Sequence, residues 1–120
     1  VMADEYVKSG YDEVRPELFV RCSENKTSVF ITWDLYLGMD STSMLTRLDS
    51  ENAVTNFWSI STDNKAVFTT DNDVTYVKSL FGHDRLLAKI TPYGASPVIA
   101  TFSITGLKDA VTPLRKACKW

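Results

Sequence analysis

Only one histidine occurs in the 120 residues, His83, in the run GHDR, with Asp84 beside it and Ser79 about one helical turn earlier. Serine, histidine and aspartate are the residue types of nucleophilic acyl transfer, in which the imidazole takes the hydroxyl proton and the carboxylate orients the imidazole. That chemistry needs the three groups to converge in space, and adjacency along the chain does not supply convergence. The expectation is therefore an exposed loop histidine. Asp34, Asp40 and Asp49 are the other candidates, as paired carboxylates or calcium ligands. Their spacing fits neither a calcium-binding loop nor a two-carboxylate glycosidase site, so they read as solvated turn residues. No glycine-rich phosphate loop and no nucleophile elbow is present. Asn25 opens an Asn-Lys-Thr triplet, which reads as a glycosylation acceptor but is of a kind that occurs often by chance. The residues point to a protein without catalytic groups, metal or cofactor.

Two cysteines remain, Cys22 and Cys118, near opposite ends of the chain. Cys22 ends the strand-like run ELFVRC on the face of Leu18 and Val20. Cys118 falls on the stripe of Leu107, Val111 and Leu114 in a terminal helical pattern. Both readings of such a pair stay open on this ground: two reduced thiols acting as small core fillers, or one staple. With a single histidine and no second cysteine pair, the spacing fits no zinc site. A further set, Arg47, Trp58, Asp63 and Tyr93, forms a possible ligand or partner surface. The competing reading puts the tryptophans in the core and pairs Arg47 with a carboxylate.

The elements that must position these groups are mostly strands. ELFVRC (17–22) and TSVFITWDLYL (27–37) alternate in the strand period and are joined by the turn SENK, which predicts a hairpin. SMLTRLDS (43–50), AVTNFWSIS (53–61), a short strand within 62–70, RLLAKITPY (85–93) and PVIATFSIT (97–105) continue the pattern. Between them the period changes: Val74, Val77, Leu80 and Phe81 mark a short helix near 72–81, with Asp71 or Asp73 as cap and Gly82 as stop. A second helix runs from about Gly106, and Pro113 should kink or divide it. Residues 1–16 are polar, and Gly10 and Pro16 interrupt any element there. The sum is a mainly β (α+β) chain: six to seven antiparallel strands in a curled sheet or sandwich with two short helices.

Composition bounds the class. A length of 120 residues predicts one domain over 1–120, with 1–15 its least certain part. The 44% apolar and 23% charged residues are those of a globular chain, and a net charge of −2 without a basic block gives no nucleic-acid footprint. No apolar run is long enough to span a bilayer.

The segments ELFVRCSENKTSVFITWDLYLG, RLDS, FWSISTDNKAVF, LLAKITPYGASPVIATFSITGL and PLRKACKW together resemble the VasI/TagO-like family of bacterial type VI secretion, similar to domains of prophage and rhizobial proteins. The resemblance covers about residues 16–120. It implies an exported, periplasmic accessory domain with protein partners in the cell envelope and no chemistry of its own, its signal or anchor segment lying outside the chain. It also implies a Cys22–Cys118 disulfide, because the two residues fall on the family's cysteine positions. The alternatives are a prophage-encoded envelope protein, or a small hydrolytic or ligand-binding domain using the His83 loop. A deep pocket beside His83 favours the latter.

Overall fold

The strand-period segments fold into nine strands, and a computed structural model describes all of residues 1–120. They are β1 (Val7–Ser9), β2 (Asp12–Val14), β3 (Glu17–Ser23), β4 (Lys26–Thr32), β5 (Ser41–Leu48), β6 (Val54–Ile60), β7 (Ala66–Thr69), β8 (Arg85–Ile90) and β9 (Val98–Ser103). Helix α1 (Asp73–Leu80) separates β7 from β8, and α2 (Leu107–Ala110) and α3 (Thr112–Cys118) follow β9. Strands β3 to β9 form one antiparallel sheet in the order β3-β4-β7-β6-β5-β8-β9, which curls into a half-barrel. Of the two expected layouts, the curled sheet is the one adopted.

Alternation decides which side chains face inward. Leu18, Val29, Ile31, Met44, Trp58, Val67, Leu86, Ala88, Ile90, Val98, Ala100 and Phe102 are buried on the concave side together with Trp33, Ile104 and the Val77 and Leu80 stripe of α1. Helix α1 is capped by Asn72, whose side chain accepts from the Thr75 amide at 3.1 Å. Neither Asp71 nor Asp73 fills that role. The Asp73 carboxylate instead accepts from the Val29 amide at 2.9 Å, tying the first turn of the helix to β4. Gly82, just past the helix, takes a φ of +79°, the left-handed turn that ends it.

Two stretches depart from the sequence expectation. The run expected to be strand through residue 37 ends at Thr32, because the amides of Trp33 and Asp34 both turn to the Lys65 carbonyl (2.8 and 3.2 Å) and Asp34 adopts a φ of +56°. Residues 1–16 carry structure. Gly10, with a φ of +60°, is the turn of a β1–β2 hairpin rather than a break. Residues 1–4 then bridge the two edges of the main sheet. Val1 exchanges hydrogen bonds with Leu18 on β3 (2.7 and 2.8 Å), and the Asp4 amide donates to Thr101 on β9 at 2.8 Å. An edge strand left bare is a template for aggregation, and this segment covers both edges. The C-terminal helical pattern divides as expected, at Val111, with Pro113 in the first turn of α3, where a missing N–H costs nothing.

Candidate functional site

The disulfide joins the ends of the chain. Cys22 on β3 and Cys118 on α3 are bonded, with Cα atoms 6.0 Å apart and a separation of 96 positions in sequence. Both are half-buried, and α3 packs on β3 around them. The last residue is fixed as well: the Trp120 indole N–H donates to the Thr27 hydroxyl at 2.8 Å.

His83 meets a partner that sequence adjacency did not suggest. Its Nδ1 lies 2.9 Å from a carboxylate oxygen of Asp49, from the β5–β6 turn, while the other oxygen accepts from the amides of Asp84 and Arg85 (3.0 and 2.9 Å). These bonds, the His83 one first, hold the Asp49 carboxyl below the usual aspartate range. The residues named with His83 are occupied elsewhere. The Ser79 hydroxyl donates to the Tyr76 carbonyl, and the Asp84 carboxylate accepts from the Thr105 hydroxyl at 2.9 Å. The hollow nearby is lined by Asp49, Ser50, Asp84, Arg85, Ser103 and Thr105, wholly polar and open to solvent. The arrangement orients the imidazole through Asp49, and neither the Ser79 hydroxyl nor the Asp84 carboxylate is hydrogen-bonded to it.

The four expected surface residues lie apart. Trp58 is only 3% exposed and packs edge-to-face on Tyr76 with ring centres 5.3 Å apart, so it belongs to the core. Burial, with the charge of Asp71 second, pushes the Tyr76 hydroxyl well above its ordinary range. Arg47 is exposed on the convex face of β5 opposite Leu87 and has no ion-pair partner. Asp63 sits in the β6–β7 turn, where its carboxylate accepts from the Ser61 hydroxyl and the Lys65 amide, which keep its pKa low. It lines a groove with Arg21, Phe30 and Phe68, on a face where Phe19, Phe30 and Phe68 stack across β3, β4 and β7 at 4.9 and 4.8 Å.

Tyr93 stands in the most aromatic exposed setting. Three connections meet there: the β1–β2 turn with Gly10 and Tyr11, the loop after β4 with Leu35 and Tyr36, and the β8–β9 loop with Pro92, Tyr93 and Ala95. They enclose an open groove of about 390 Å³. Tyr11 is fully exposed, Tyr36 50% and Tyr93 75%, and Met39 nearby in the chain is 70% exposed. Two of the three connections are tied to each other. The Tyr93 amide donates to the Tyr36 carbonyl at 3.1 Å, and the two rings meet edge-to-face at 5.9 Å. Gly38 lies beside the Tyr93 ring, where a Cβ would make ordinary contact at 3.5 Å, and its φ of +102° is what favours glycine there. Its carbonyl accepts from the Asn64 side chain at 2.8 Å. Tyr11 and Tyr36 were not expected at this site. The alternating pattern places Tyr36 in a strand, which ends four residues before it, and Tyr11 in a segment with no element, which forms a hairpin.

No helix of the chain is long and apolar enough to cross a membrane. Among known families, the model described as type VI secretion system VasI, EvfG matches residues 5–120, a span that includes the β1–β2 hairpin and the whole tyrosine groove. No curated protein and no solved structure matches the chain. With nearly its entire length matched, the chain belongs to the VasI family of type VI secretion-associated proteins.

Proposed function

We propose that this chain is an exported, non-enzymatic interaction domain of the type VI secretion apparatus, and that it docks a protein partner through the groove of Tyr11, Tyr36 and Tyr93. The composition of that groove carries the reading. Tyrosine offers a large rigid contact area with a polar tip, and aromatic residues and methionine are enriched in interface cores from which charges are depleted. Here the lining has one charged residue, Asp12. Loops fixed on a curled sheet lose little freedom on binding, so more of the contact energy is realised as affinity. Export is supported by the disulfide, since structural disulfides persist in oxidising compartments. The absence of chemistry is supported by the placement of Ser79 and Asp84, both engaged away from His83.

The partner is identified by photo-crosslinking in cells with an active secretion apparatus. A photoreactive residue at Tyr36 or Tyr93 is expected to form an adduct with a component of that apparatus. The same residue at Lys89, exposed on β8, is the control. No adduct at either groove position, or equal adducts at Lys89, would contradict the reading.

A further inference from the structure

The basic residues of this acidic chain are unevenly placed. Residues 107–120 hold four of its 13 lysines and arginines, Lys108, Arg115, Lys116 and Lys119, against one of its 15 acidic residues, Asp109. Arg115, Lys116 and Lys119 line an open pocket of about 410 Å³ together with Thr112 and Trp120. The chain's side-chain ion pairs join Lys65 to Asp34 and His83 to Asp49 and Glu51, so no side-chain carboxylate pairs with the cations of this pocket. A helix dipole favours cations in the last turn, which accounts for Arg115 and Lys116. Lys78, in the last turn of α1, is accounted for in the same way, but the dipoles do not explain why the two helix ends meet on one ring. Lys78 brings its ammonium to 5.8 Å from the Trp120 ring. The Arg115 guanidinium lies 5.2 Å from the same ring and 5.7 Å from Phe81.

This cluster is also pre-positioned. The Arg115 Nε donates to the Trp120 main-chain oxygen at 3.2 Å, and no side-chain carboxylate pairs with the guanidinium. Trp120 is pinned through Thr27, Lys119 turns the chain at a φ of +59°, and the disulfide anchors the helix one residue before. Like charges held together repel, and an anion that enters relieves the repulsion while the one-signed cleft concentrates the field on it. Arginine and lysine donors are suited to a tetrahedral oxyanion that accepts several charge-assisted hydrogen bonds at once. We propose that the pocket of Arg115, Lys116, Lys119 and Trp120, with Lys78 at its side, binds a phosphoryl group. The source of that group is either a soluble phosphate compound or a phospholipid headgroup.

Inorganic phosphate is titrated into the ¹⁵N-labelled protein at constant ionic strength. The expected result is a saturable shift of the Trp120 indole and the amides of α3, with chloride giving none. Lys116→Gln with Lys119→Gln should weaken the binding by roughly tenfold, because two of the charge-assisted donors are lost. Lys8→Gln with Lys89→Gln removes the same charge from exposed positions elsewhere and should leave the binding unchanged. Both double variants alter exposed side chains, and equal melting temperatures confirm their folds. Vesicles of phosphatidylglycerol and phosphatidylcholine then separate the sources. Co-sedimentation lost in the Lys116/Lys119 variant assigns the headgroup, and phosphate binding without co-sedimentation assigns a soluble compound. Neither a saturable phosphate shift nor co-sedimentation, or equal weakening in the Lys8/Lys89 control, overturns the proposal.

Discussion

Asp49 joins two loops that are distant in sequence. A φ of +51° turns its carboxylate toward the segment after α1, where it accepts from two amides and meets His83. A carboxyl whose native pKa is lowered contributes stability that is complete above its ordinary value of 3.8 and is lost as pH falls through the native value. Asp49→Asn keeps one oxygen acceptor and removes the charge. It should lower the melting temperature near neutrality and unfold with a shallower acid limb, so that the gap to the native chain narrows from about pH 5 downward. Thermal melts across that range check this, and a gap that stays constant from neutral to acid pH would show that the charge contributes nothing. The His83–Asp49 contact was not legible in the sequence. Thirty-four residues separate the partners, and only the register of β5 on β8 brings them together.

At the scale of elements, the β3–β4 hairpin was legible because both strands alternate and a short polar turn divides them. Its turn is tighter than its residues favour. Glu24 and Asn25 both take positive φ, 51° and 66°, the conformation of a two-residue turn that prefers Asn-Gly. Glu24→Asn with Asn25→Gly should therefore stabilise the chain by about 0.5–1 kcal/mol. Urea unfolding with an unchanged m-value measures this, and a loss of stability would mean that the native side chains make contacts outweighing the strain. The α1 stripe, the stop at Gly82 and the break near Pro113 were equally legible, since each rests on local periodicity or a fixed backbone preference. What local signals do not encode is non-local hydrogen bonding. The Lys65 carbonyl ends β4 early, and β9 recruits residues 1–4 as an edge cover. The place of Tyr36 is not legible for that reason, since its connection is set by distant partners, whereas Tyr11 lies in a local hairpin whose three-residue strands are too short to show a period.

For the molecule as a whole, the Cys22–Cys118 bond and the bridging N-terminal segment close the half-barrel from opposite ends of the chain. The disulfide spans 96 residues, and cross-linking a loop of that size constrains the unfolded chain by about 4–5 kcal/mol in the chain-entropy model. Replacing both cysteines by serine should cost roughly 2–5 kcal/mol, and reductant should lower the native protein's stability to a similar extent while leaving the variant unchanged. Chemical unfolding with and without reductant checks this, and identical curves for native and variant chains would remove the bond from the stability account. The tyrosine groove lies on this stapled frame, and the central claim concerns what the groove does. Two variants restored separately to cells lacking the chain decide it: Tyr11→Ala with Tyr93→Ala, and His83→Ala. Type VI secretion activity is the readout, with melting temperature and the level of exported protein measured in parallel. The account predicts that the tyrosine variant folds, is exported and fails to support secretion, while the His83 variant supports it fully. Full activity of the tyrosine variant, with loss of activity in a stable His83 variant, would contradict it.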